Sequence, residues 1–113
     1  MSDVIFDEQG FYNHLGGDRE LGSEILNVYV VDAPERLKAL EQALADEEQA
    51  LVIKYSHALK GISATIRAGA IAAQAERIEH AARKGDFETV RNCMPQAIFQ
   101  LDEVLEVIRK HLR

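Results

Sequence analysis

Apolar residues in this chain recur every three or four positions, and no run alternates in the manner of a half-buried strand. The strongest stripe comes last: Phe87, Val90, Met94, Ala97, Ile98, Leu101, Val104, Leu105, Ile108 and Leu112. It predicts a long helix that Pro95 should bend or split near residue 94. Leu21, Ile25, Val28 and Tyr29 form an earlier stripe that resumes with Leu37, Leu40 and Leu44 and reaches about Ala45. Asp32-Ala33-Pro34-Glu35 interrupts it and reads two ways, as a fresh capped start or as a kink in one helix. Leu51, Tyr55, Leu59, Ile62 and Ile66 fall within about 40° of one line at about 100° per residue, which predicts a buried face. From about Ala68 to Lys84 the stripe is narrow (Ile71, Ala75, Ile78, Ala82), a pattern that permits close helix approach.

The punctuation fits these segments. Asp7 can cap a short helix to about Leu15, ended by Gly16-Gly17, with Phe11 and Leu15 on one edge. So short a helix needs a bundle end to lie across. Asp18 caps the second segment, and Asp46-Glu47-Glu48-Gln49 has the spacing of a capping box for the third. Arg67-Ala68-Gly69 interrupts the third and fourth, Gly85 ends the fourth, and Asp86 caps the last. Residues 1–6 read as a lead-in. With no internal repeat, linker or low-complexity tract, the pattern predicts one all-α domain, an antiparallel bundle with short connections.

Composition narrows the function classes. The chain has 113 residues, 47% hydrophobic and 28% charged, enough for one core. Its net charge of −6 argues against nucleic acid or an anionic membrane surface as the partner. The single cysteine, Cys93, forms no internal disulfide and no cysteine-rich zinc site, and reads as a small core-lining residue. No transmembrane run is present, and Met1-Ser2-Asp3-Val4 has no leader character, so a cytoplasmic protein is the expectation.

Of the four histidines, His14, His80 and His111 read as surface or helix-end residues. No Glu-x-x-His or His-Glu-x-x-His spacing supports a metal, and no nucleophile elbow or glycine-rich phosphate loop is present. His57 stands apart. It lies about 200° from Tyr55, opposite the predicted buried stripe, among Ala50, Ile53, Lys60, Gly61 and Ala64. A solvent face made of small residues around an imidazole suits close docking. Lys54 and Lys60 lie one turn to either side, where their charge would favour an added anionic group, and Gly61 clears space beside the ring. A neutral imidazole nitrogen is a competent nucleophile. Two readings of His57 stay open on spacing alone: a phosphoryl acceptor, and an exposed structural histidine.

The segment His57-Ala58-Leu59-Lys60-Gly61-Ile62-Ser63-Ala64 resembles the His-x-x-Lys-Gly-x-Ser-Ala signature of histidine-containing phosphotransfer (Hpt) domains of multistep phosphorelays. Leu15-Gly16-Gly17-Asp18 and Asp32-Ala33-Pro34-Glu35-Arg36-Leu37 are similar to that family's approach to its second helix. Ile78-Glu79 and Ala81-Ala82-Arg83-Lys84-Gly85-Asp86 resemble its Leu-Glu and Ala-Arg-x-Gly-Asp stretches. The likeness covers nearly the whole chain. It departs where the family's second glycine, six residues past Gly61, is replaced by Arg67.

The resemblance implies a four-helix bundle with a short N-terminal capping helix, residues 1–113 forming one such domain. It implies that His57 takes a phosphoryl group, normally on Nε2, from a receiver-domain aspartyl phosphate and passes it to another receiver aspartate. Lys60 would be the lysine beside that group and Gly61 the clearing glycine, with Lys54 near the phosphate. Ala50, Ile53, Ala64 and Arg67 would meet the receiver. The expected partners are receiver domains and a hybrid sensor histidine kinase. The receiver supplies acidic pocket and Mg²⁺, so the chain needs no cofactor or metal of its own. The expectation is a monomeric, free-standing stoichiometric carrier, not an enzyme. Two rivals are a helical interaction module that is never phosphorylated, and a histidine-kinase dimerisation domain, which would need an ATP-binding domain to follow.

Overall fold

In the computed structural model, which describes residues 4–113, three aspartates begin helices as the sequence predicts. Asp7 accepts from the Gly10 N–H and starts α1, Glu8–His14. Asp18 accepts from Leu21 and starts α2, Arg19–Ala45, and Asp86 accepts from Thr89 and starts α5, Phe87–Leu112. Each carboxylate satisfies an N–H that has no carbonyl partner in the first turn. Between them lie α3, Gln49–Thr65, and α4, Gly69–Arg83. The described residues contain no strand. Each long helix packs on its neighbours in chain order, α5 closes back onto α2, and short turns make neighbours antiparallel. The result is an all-α, antiparallel four-helix bundle with α1 as a short N-terminal cap. Of the lead-in, residues 1–3 lie outside the described residues.

All four connections close alike. The residue after each C-cap takes a left-handed backbone, and two N–H groups reach back to the helix's last free carbonyls. Glycine holds this position after α1 and α4, but Glu47 (φ 51°) and Arg67 (φ 67°) hold it after α2 and α3. A side chain there costs on the order of 1 kcal/mol. Arg67 therefore takes the glycine-like conformation itself, and its carbonyl accepts the Asp7 N–H at 3.0 Å.

The α4 and α5 stripes are buried as predicted, with Phe87, Ile98 and Leu112 at the edges. Pro34 and Pro95 both lie inside continuous helices, so Pro34 starts nothing new and Pro95 does not split α5. Three expectations need correction. The first stripe of α2 is misplaced: Leu21 and Val28 are exposed and Ile25 is half-buried, because Leu26, Tyr29 and Ala33 take the core side of that helix. Asp46 does not cap α3: it is the C-cap of α2 and its carboxylate accepts from Gln42, while Glu48 is the N-cap of α3 and makes no side-chain bond. Gln49 instead reaches across to the Ala82 carbonyl at the end of α4. The buried line of α3 is also rotated. Val52, Ser56, Leu59 and Ser63 face the core, and Leu51, Tyr55 and Ile62 are half-buried. The two serines can occupy the core because their hydroxyls are satisfied: Ser56 donates to the Val52 carbonyl, and Ser63 bonds the Tyr29 hydroxyl at 2.8 Å. Burial pushes the Tyr29 phenol up to about 12 despite that bond, so it stays neutral.

The capping helix is held at the far end of α5. The Tyr12 hydroxyl and His111 Nε2 lie 2.7 Å apart, and His111 Nδ1 faces Glu8 at 3.4 Å. His111 is thus a half-buried tether at a helix end, whereas His14 and His80 are exposed.

Candidate functional site

Val52, Ser56, Leu59 and Ser63 turn inward on one side of α3, and a residue about 100° round the wheel from Ser56 and about 160° from Leu59 must turn out. His57 does so, its side chain 63% exposed on the α3 flank nearest α4. Across the groove, α4 contributes Glu79, whose side chain is only 7% exposed. Its carboxylate oxygens lie 3.1 and 3.2 Å from His57 Nδ1. An ionised carboxylate only accepts, so Nδ1 carries the proton and donates. In the neutral ring this tautomer leaves the lone pair on the other nitrogen, Nε2.

Two cations share that carboxylate. The Lys60 ammonium is 2.9 Å from Oε1, and the Arg83 guanidinium gives Oε2 two bonds, from Nε at 3.1 Å and Nη2 at 2.6 Å. Burial alone would raise the Glu79 carboxyl. The hydrogen bonds from Arg83, Lys60 and His57 outweigh it and bring the group down to about 2. The arrangement is a fixed negative charge beside Nδ1 of the ring, held by two positive ones.

Gly61 lies exposed one turn on, and a Cβ built there would meet nothing within 4 Å. Together with Lys60, Ala64, Gly69, Ala72, Ala73 and Glu76 it lines an open groove of about 470 Å³ between α3 and α4. Ala50 and Ala64 are exposed on the His57 face; Ile53 is half-buried and packs against the core edge. Lys54 is exposed, and its ammonium lies over the Tyr55 ring at 5.6 Å, on the α2 side of the helix. Of the two lysines flanking His57, Lys60 is the one held at its carboxylate partner. Arg67 follows the end of α3, ten residues on from His57, in the left-handed turn that leads to α4.

The hydrophobic pattern overlooks Glu79 and Arg83 as parts of the site. A signal was there: Glu79 sits one turn past Ala75, at the edge of the small apolar stripe of α4, where a carboxylate is buried only with partners. Among the described residues, no three His, Cys, Asp or Glu side chains gather as a metal site.

The Hpt domain family model matches residues 24–111, which includes His57, Lys60, Glu79 and Arg83. The chain belongs to the Hpt domain family. Membership makes histidine phosphotransfer in phosphorelays the function class of this domain. Among proteins of known role, it is similar to the phosphorelay intermediate protein rdeA of Dictyostelium discoideum, 22% identical over 103 residues. That match covers 91% of this chain and 41% of the relative's length. Among solved structures, it is similar to the histidine-containing phosphotransfer protein B (HptB) of Pseudomonas aeruginosa PAO1. The TM-score is 0.89 at 20% identity, over 96% of this chain and 94% of that one. The Hpt fold is thus shared along the whole bundle. No helix among the described residues is long and apolar enough to cross a membrane.

Proposed function

We propose that this Hpt domain accepts a phosphoryl group on Nε2 of His57 from a receiver-domain aspartyl phosphate and returns it to a second receiver aspartate. The observation that carries this reading is the Glu79 bond to Nδ1, because it sets which nitrogen is nucleophilic. The Nε2 lone pair attacks phosphorus in line with the acyl phosphate oxygen. The N–P bond forms, the P–O bond breaks, and the receiver's carboxylate leaves. The positive charge left on the ring is met by Glu79 at Nδ1 and by the phosphoryl oxygens at Nε2. Onward transfer reverses the step: a receiver carboxylate attacks phosphorus, the P–N bond breaks, and the imidazole is neutral again.

The surface fits a brief encounter. The α3–α4 groove, floored by Gly61, Ala64 and Ala72, gives a receiver room to approach the ring, with Ala50 and the half-buried Ile53 continuing the face. Lys60 serves the phosphoryl group directly, whereas Lys54 contributes only general positive charge. Arg67 shapes the end of the docking face through its backbone. A small, partly polar contact suits a carrier that must release each partner. In this reading the chain is a stoichiometric carrier rather than an enzyme, a monomer working in the cytoplasm, with receiver domains and a hybrid sensor kinase as partners. Residues 1–113 act as one domain.

Two receivers test it. The chain is incubated with a phosphorylated receiver, separated, and given to an unphosphorylated one. The expected result is acid-labile, alkali-stable label on the chain, chased onto the second receiver, with no label from ATP alone. A chain that binds the receiver yet takes up no phosphate would instead be an interaction module.

A further inference from the structure

The Glu79 carboxylate holds more positive charge than a histidine orienter needs. Its two oxygens are divided: Oε2 takes both Arg83 bonds, and Oε1 takes Lys60. The two cations are also placed differently. Arg83 is on α4, four residues past Glu79, so the pair moves as one unit with that helix. Lys60 is on α3, one turn past His57, with its side chain 31% exposed beside the groove. It is the cation able to reach both the carboxylate and a group on Nε2.

A phosphoryl group brings a charge of about −1.5 to −2 and three acceptor oxygens to the groove. It competes with Glu79 for Lys60. Were Lys60 the carboxylate's sole cation, its departure would leave a buried charge bonded to the imidazole alone, which is strongly unfavourable. Arg83 removes that obstacle. We propose that Arg83 is a positioning residue for phosphoryl transfer: it anchors Glu79 so that Lys60 can leave the carboxylate for the phosphoryl group while Glu79 keeps its hold on His57. Lys60 thus has two stations, Oε1 of Glu79 in the resting domain and a phosphoryl oxygen in the charged one. Arg83 never touches the reacting atoms. This inference rests on the phosphotransfer reading and names the device that resets the site.

A double-mutant cycle tests it, with uptake from a phosphorylated receiver measured at pH 8.5 for wild type, Arg83→Gln, Lys60→Ala and the pair. In the presence of Lys60, Arg83→Gln is expected to slow uptake about fivefold to tenfold and to shorten the phosphohistidine lifetime. In the Lys60→Ala background the same change is expected to cost less than about twofold, since no lysine is left to release. Arg83→Lys, which keeps the charge but not the fork, should recover more than half of the lost rate. Amide NMR spectra establish that each variant is folded, and the Lys60 ammonium ¹⁵N signal reports the move: it shifts on phosphorylation of wild type and stays put in Arg83→Gln. An Arg83→Gln penalty of the same size in both backgrounds overturns the proposal, as does an Arg83→Lys variant as slow as Arg83→Gln. If wild type takes up no label, the phosphotransfer reading itself fails, and the two failures are distinct.

Discussion

Replacing Glu79 by glutamine removes one charge from a site that binds it on three sides, and the cost follows from the structure. The folded carboxyl sits at about 2, against an ordinary value of 4.5. At about 1.4 kcal/mol for each pH unit, that gap is a ceiling of roughly 3.5 kcal/mol of stability carried by the ionised form. Arg83 and His57 are largely exposed, so solvent and salt trim it, and about 2–3 kcal/mol is the working figure. The sign is definite. A depressed carboxyl contributes fully above its unfolded value near 4.5, and the contribution fades as pH falls toward 2. Urea unfolding of wild type and Glu79→Gln between pH 7 and pH 2.5 reads it. The expected gap is about 2–3 kcal/mol above pH 5.5, closing to less than about 1 kcal/mol at pH 2.5. A gap that stays constant across that range would mean the carboxylate acts through shape alone, and the electrostatic account of the site would be wrong.

Other substitutions separate fold from function. Gly61→Ala removes a helix-interior glycine where a methyl meets nothing, so it should raise stability by about 0.5–1 kcal/mol in thermal unfolding. The same methyl stands in the groove beside His57, so receiver uptake should slow; equal or faster uptake would free Gly61 from any docking role. Arg67→Gly relieves a left-handed side chain and should stabilise by about 0.5–1 kcal/mol while leaving uptake within about twofold. Gly22→Ala does the reverse, because a Cβ there runs into the Tyr12 ring that His111 holds in place. It should cost about 1–3 kcal/mol and loosen α1, seen as faster hydrogen exchange at residues 8–14.

The bundle was legible in the sequence wherever burial and hydrophobicity coincide. The α4 and α5 stripes and the three aspartate caps were read correctly because each obeys a local rule. The buried line of α3 was misplaced because Ser56 and Ser63 hold core positions through hydrogen bonds that only the fold supplies. The same holds for Asp46: its spacing suits a cap, but the left-handed turn at Glu47 gives it to the end of α2. At the candidate site, His57, Lys60 and Gly61 could be singled out from one helix turn of sequence. The bond from Nδ1 to Glu79 could not, since Glu79 lies on another helix 22 residues on, and neither could the Lys60–Glu79 and Arg83–Glu79 pairs. Lys54 and Lys60 look equivalent by spacing, and only the packing of α4 against one flank of α3 distinguishes them.

The most direct test of the central claim is the position of the phosphoryl group on the ring. The chain is phosphorylated by a receiver, kept alkaline, and studied by ¹H–³¹P correlation NMR, with His57→Gln as the control. A single phosphohistidine is expected, on His57, bonded at Nε2, because Glu79 occupies Nδ1. An Nδ1 adduct, or equal phosphate uptake by His57→Gln, would contradict it.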